Sequence, residues 1–174
     1  MAKKESKITK TERILAVYHL LIYCDEVSWQ ELSDNLPGCR KTFSRDIALL
    51  KKAGVQVRFS AKQQAFVLDS RERAEPCFSE SKSEVRYIKK IIRLTKMMDE
   101  MDSADEPDKW YAETFPDVSR RTMERDFSVL NDVGYKIGYK RSEWDSIGGY
   151  DAPINRYYCE FPYSTYELEI FNRM

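Results

Sequence analysis

The residues able to do chemistry come in two matched sets. Arg40, Lys41, Thr42, Ser44 and Arg45 lie within six positions, and Arg120, Arg121, Thr122, Glu124 and Arg125 repeat the arrangement 80 positions later. Guanidinium and ammonium groups clustered on a turn or two neutralise phosphates, and hydroxyls donate to phosphate oxygens. An arginine fork also matches O6 and N7 of guanine, and a glutamate accepts from N4 of cytosine. Lys62 adds a cation further on. The chemistry implied is anion recognition. No phosphate-cradling loop, nucleophile motif or metal pair accompanies these residues, so neither an enzyme nor a bound metal or cofactor is expected.

The two sets belong to a longer repeat. RKTFSRDIALLKKAG (Arg40 to Gly54) and RRTMERDFSVLNDVG (Arg120 to Gly134) share six of fifteen residues at a constant offset of 80. Unrelated sequences would share about one, so the chain carries an internal duplication. Phe43, Ile47 and Leu50, like Met123, Phe127 and Leu130, recur at i, i+4 and i+7. That spacing predicts two amphipathic helices with the cations on the opposite face. Asp46 and Asp126 fall at the edge of the apolar stripe, where each is expected to orient a neighbouring arginine or amide. Gly54 and Gly134 sit where a helix ends in a left-handed residue. The alternating runs after them, VQVRF and YKIGY, predict strands.

These helices need partners to position them. Residues 11–24 predict a first helix with Ile14, Leu15, Tyr18, Leu21 and Ile22 on its inner side; the lone His19 is read as structural. Ser28 and Glu31 form a capping box for a second helix, and Pro37-Gly38 supplies the turn into the third. Val55–Ser60 and Ala65–Asp69 then pair as a hairpin with Lys62 at its tip. The second copy predicts a long helix from about Ser83 to Met101 and an acidic connection. A short helix at Lys109–Phe115 follows, with Ser119 as the cap of the second basic helix. Its paired strands, Tyr135–Arg141 and Arg156–Phe161, enclose a wing carrying Trp144, Tyr150 and Pro153.

The expected fold is α+β and mainly helical: two tandem winged helix-turn-helix domains, each of three helices and a β-hairpin wing. The divisions are a basic arm (1–10), a first domain (11–70), a linker (71–82), a second domain (83–162) and a tail (163–174). Formal charge is zero overall, but residues 1–79 hold 14 Lys/Arg against 10 Asp/Glu and residues 80–174 hold 15 against 19. A uniformly basic coat is excluded, so any nucleic-acid face is a local patch. Cys24, Cys39, Cys77 and Cys159 lack metal-site spacing and are read as reduced, mostly core residues. With no signal peptide and no apolar span of about 18 residues, a soluble cytoplasmic protein is expected.

The string S-R-R-T-x-x-R-D-x-x-x-L-x-x-x-G at Ser119–Gly134, with its partner from Arg40, resembles the N-terminal winged helix of DeoR-type regulators. It is similar also to the DNA-binding head of WYL-domain transcription factors. The resemblance implies that the basic helix enters the major groove of double-stranded DNA while the wing follows the backbone. It covers about 60 residues of the first half and, less cleanly, most of the second. The chain departs from that pattern in two respects: no sensor domain is expected after the heads, and the first wing reads Gln64-Ala65-Phe66 without the usual glycine. Two readings stand. One is a two-headed transcriptional regulator, free to form a homodimer; the other is an adaptor in which one or both heads bind protein. The net charge of the second half favours a protein partner for the second domain. Any one arginine is accounted for by ordinary solvated helix charge, but their retention in both copies argues for use.

Overall fold

The computed structural model describes residues 8–104, 106–141 and 155–162. The chain is α+β and mainly helical. Its first half is α1 (Lys10–Tyr23), β1 (Val27–Ser28), α2 (Trp29–Asn35), α3 (Arg40–Lys52), β2 (Gln56–Ser60) and β3 (Ala65–Ser70). The second half is α4 (Lys82–Glu100) with a 3₁₀ turn at Met101–Ser103, α5 (Pro107–Thr114), α6 (Arg120–Val133), β4 (Lys136–Arg141) and β5 (Asn155–Glu160). Helix, helix, helix, hairpin is thus traced twice. The halves differ in that β1 joins β3 to make a three-stranded antiparallel sheet in the first, whereas among the described residues of the second β4 pairs only with β5.

Local chemistry accounts for the element ends. Ser28 and Glu31 form the expected capping box on α2, and Thr9 with Glu12 makes another on α1 that the sequence reading placed in the basic arm. Ser81 and Ser119 cap α4 and α6 by accepting amide hydrogen bonds. Each basic helix closes through a positive-φ glycine, Gly54 at +87° and Gly134 at +124°. The next amides, of Val55 and Tyr135, donate back five residues to Leu50 and Leu130, both at 3.0 Å. This closure satisfies carbonyls that a helix end otherwise leaves without partners.

The core is a single cluster that includes Phe43, Leu50 and Val57 from the first half and Ile88, Leu94, Met97, Leu130 and Tyr135 from the second. Here the structure corrects the one-sided reading of α1. Every residue from Ile14 to Leu21 is buried, because α1 packs against α3 and β3 on one side and α4 and α6 on the other. A helix apolar all round belongs inside a core. His19 is buried with it and hydrogen-bonds through Nδ1 to the Tyr135 hydroxyl at 2.7 Å, joining the two halves. Burial holds that hydroxyl well above the usual phenol range.

The segment between the halves is folded against both. Ala74 donates its amide to Gly54 and Cys77 donates its amide to Lys52. Arg73 reaches Thr95, Asp99 and the Tyr18 hydroxyl, which itself donates to Asp99 at 2.6 Å. Asp99, inside the long helix expected from sequence, is therefore a partnered residue on the last turn of α4. The cysteine reading also needs correction. None of the four forms a disulfide, but Cys39 and Cys77 are exposed and Cys24 and Cys159 only half-buried, since Cys39 precedes the first turn of α3 and Cys77 lies in the connecting segment. Met97, Met98 and Met101 are core residues. Among the described residues no helix is long and apolar enough to cross a membrane. The arm at 1–7, the wing residues Trp144, Tyr150 and Pro153, and the tail 163–174 lie outside the described residues.

Candidate nucleic-acid interface

Each basic helix is fastened to the core by the same device. Arg13 of α1 donates from Nε and Nη2 to the Asp46 carboxylate at 2.6 and 3.3 Å. Arg93 of α4 donates in the same way to Asp126 at 2.7 and 3.4 Å. Both aspartates are at most 2% exposed. A bidentate fork fixes orientation as well as distance, so α3 and α6 are held with the same rotation about their axes. Asp126 also accepts from the buried Tyr111 hydroxyl at 2.7 Å. Burial first, and then that carboxylate, raise the Tyr111 phenol above its usual range. The expectation that Asp46 and Asp126 orient arginines therefore holds, and the arginines come from the preceding long helices.

The burial pattern of residues 41–50 recurs residue for residue at 121–130. Phe43, Asp46, Ile47 and Leu50 face inward, as do Met123, Asp126, Phe127 and Leu130. Arg40, Lys41, Ser44 and Arg45 face solvent, as do Arg120, Arg121, Glu124 and Arg125, while Thr42 and Thr122 are half-buried. Lys41, Arg45, Arg121 and Arg125 make no ion pair among the described residues, and Lys62 is exposed at the hairpin tip. The rest are engaged within the protein. Ser44 donates to the Arg40 carbonyl. The Thr122 hydroxyl meets that of Ser119 at 3.0 Å, and Thr42 Oγ1 lies 3.4 Å from Cys39 Sγ.

The first turns of the two helices differ. The Arg40 guanidinium lies over the Trp29 ring, 4.8 Å from its centroid. It lines a groove of about 300 Å³ between α3 and the hairpin, with Trp29, Lys51, Phe59 and Phe66 among the walls. Arg120 instead pairs with Glu124 at 3.3 Å, both exposed. So Glu124, read as a cytosine acceptor, is already an acceptor for its own helix. Asn131, at the position of Lys51, is tied to the Ile137 backbone at 2.6 and 2.9 Å. Cys39, immediately before α3, has its thiol pKa lowered by hydrogen bonds from the Thr42 side chain and nearby backbone.

Sequence reasoning missed Arg13, Arg93, Trp29 and Lys51. The overlay at offset 80 contained the signal for the first two, since Arg13 and Arg93 are themselves a matched pair. Nothing local marked Trp29 or Lys51, which come together only when the hairpin folds against α3. Comparisons with protein-family models, curated proteins and solved structures gave no significant match.

Proposed function

We propose that the chain is a sequence-specific, double-stranded-DNA-binding transcriptional regulator acting in the cytoplasm, built of two tandem winged helix-turn-helix units without catalytic activity or cofactor. The observation that carries this reading is the duplicated presentation of cations. Two helices, each pinned by an Arg–Asp fork, turn Lys41 and Arg45, or Arg121 and Arg125, outward without ion-pair partners among the described residues. A helix held at fixed rotation with arginines on its outer first turns suits entry into the major groove. There the phosphates supply most of the affinity and the guanidinium forks the base discrimination. Lys62 at the hairpin tip serves the adjoining backbone.

The test is selection of random duplex DNA on the full chain, at two salt concentrations, for wild type, Arg45→Ala and Arg125→Ala. A defined motif weakened by both substitutions supports two DNA-reading heads. About five neutralised phosphates give a log–log salt slope near −5. No enrichment at low salt overturns the reading. A second reading, with the first head on DNA and the second on a protein partner, is favoured by the Arg120–Glu124 pair; loss of the motif in Arg45→Ala alone supports it.

A further inference from the structure

The packing of the duplicated helices carries a consequence for the kind of DNA site, and it rests on the DNA-binding reading above. α1 and α4, equivalent in the two copies, pack on one another. They run parallel: Thr11 at the start of α1 meets Tyr87 near the start of α4 at 3.3 Å. Further along, Tyr18 meets Asp99 at 2.6 Å, one position from its own equivalent, Met98. Around this pair the contacts are reciprocal. α6 packs on α1 of the other copy and α3 packs on α4 of the other copy, besides their own α4 and α1, while α3 and α6 share at most a marginal contact. Exchanging the two copies maps this set of contacts onto itself.

Reciprocity of this kind is the mark of a twofold, in which element i meets j and j meets i. A head-to-tail repeat gives one cross-contact without the other. Two parallel equivalent helices packed side by side place the approximate axis along their length. A rotation about that axis preserves height, so the two forks, Arg13–Asp46 and Arg93–Asp126, hold α3 and α6 at the same level on opposite flanks of the α1/α4 pair. The shared core and the Arg73 contacts with Tyr18, Thr95 and Asp99 keep that relation fixed.

We propose that one chain acts as a covalent pseudo-dimer whose partner is a single inverted-repeat DNA site with two unlike half-sites at one fixed spacing. The half-sites are unlike because the outward positions differ between copies: Lys41 against Arg121, Ser44 against Glu124, Ala48 against Ser128 and Lys51 against Asn131.

Two measurements on the full chain test this. The first is free of DNA: spin labels on Ala48→Cys and Ser128→Cys, with Cys39 and Cys77 replaced by serine, read the distance between the helices. A single narrow distribution is expected; a broad one overturns the fixed geometry whether or not DNA binds. The second uses the selected duplexes, rebuilt as inverted and direct repeats and with five base pairs inserted between half-sites. Half a helical turn carries one half-site to the opposite face of the duplex, so binding is expected to fall at least about tenfold, to that of one head. Preference for a direct repeat, or indifference to the insertion, overturns the twofold while leaving the DNA-binding reading intact. A narrow distance distribution with no DNA retained at any salt overturns the DNA-binding reading, and the proposed site with it.

Discussion

α3 and α6 have the same buried face and different exposed ones. Inward, they match in burial, in the Arg–Asp fork and in glycine closure. Outside the buried aspartates, α3 carries five cations and no acid, a net of +5, whereas α6 carries three cations against two acids, a net of +1. The difference shows which constraint each surface answers to. Altering a buried fork strands a charge in a low-dielectric site, so the fork is kept, the apolar core positions exchange one hydrophobe for another (Phe43 against Met123, Ile47 against Phe127), and charge differs only away from the core. The two helices share a scaffold, and their partners need not weigh on them equally.

The largest expected effects come from breaking the shared part. Asp46→Ala leaves Arg13 mostly buried without its acceptor, at a cost of about 3–5 kcal/mol. Asp126→Ala does the same to Arg93 and also strands the buried Tyr111 hydroxyl, for a further ~1–3 kcal/mol. Urea unfolding of both variants is the measurement; an Asp46→Ala loss equal to or greater than that of Asp126→Ala would show that Tyr111 adds nothing. Gly54→Ala and Gly134→Ala each meet the left-handed penalty of about 1–2 kcal/mol. At Gly54 the new Cβ also collides with the Ala74 carbonyl, so Gly54→Ala is expected to be the more destabilising. Equal melting temperatures would mean that the connecting segment yields freely.

Smaller effects separate the exposed faces. Arg45→Ala is expected to flatten the log–log salt slope of DNA binding by about 1. Arg125→Ala should do likewise if both heads bind DNA and should leave the slope unchanged if only α3 does. Glu124→Gln removes the acid paired with Arg120 and raises the net charge of α6 by one; binding to DNA of arbitrary sequence is expected to tighten by about threefold at low salt. Unchanged binding would place α6 away from the duplex. The smallest effect concerns Cys39, which stands where α6 has Ser119. Since Thr42 lowers its pKa, the thiolate forms at lower pH. The alkylation profile of Cys39 should lie below that of an ordinary exposed thiol and move up in Thr42→Val. Cognate duplex should slow the reaction, and alkylation indifferent to saturating duplex would place the start of α3 outside the interface.

Much of the site was legible because it is local. The i, i+4, i+7 spacing of Phe43, Ile47 and Leu50 decides which face of α3 is buried, and with it that Lys41 and Arg45 turn outward. The glycine ends and the capping serines follow from one helical turn each. What could not be read was every contact made across the chain. Nothing near Arg40 announces the Trp29 ring, and nothing in residues 71–82 announces that Arg73 will bridge Tyr18 and Asp99. The run Ile14 to Leu21 looked like one apolar side with a few residues to spare. Its all-round burial depends on a second copy that begins some 70 residues later.

By itself the sequence determined the duplication, the order of helices and hairpins in each copy, the outward cations and the aspartates that anchor them. Periodicity, capping and backbone conformation act over a few residues and need no knowledge of the rest. Only the tertiary structure decided that the copies share one core around α1, that the connecting segment is pinned, and that α3 and α6 flank one helix pair. Those relations depend on which apolar faces find each other, and hydrophobic burial, being non-directional, does not encode its partner in the spacing of residues along one helix.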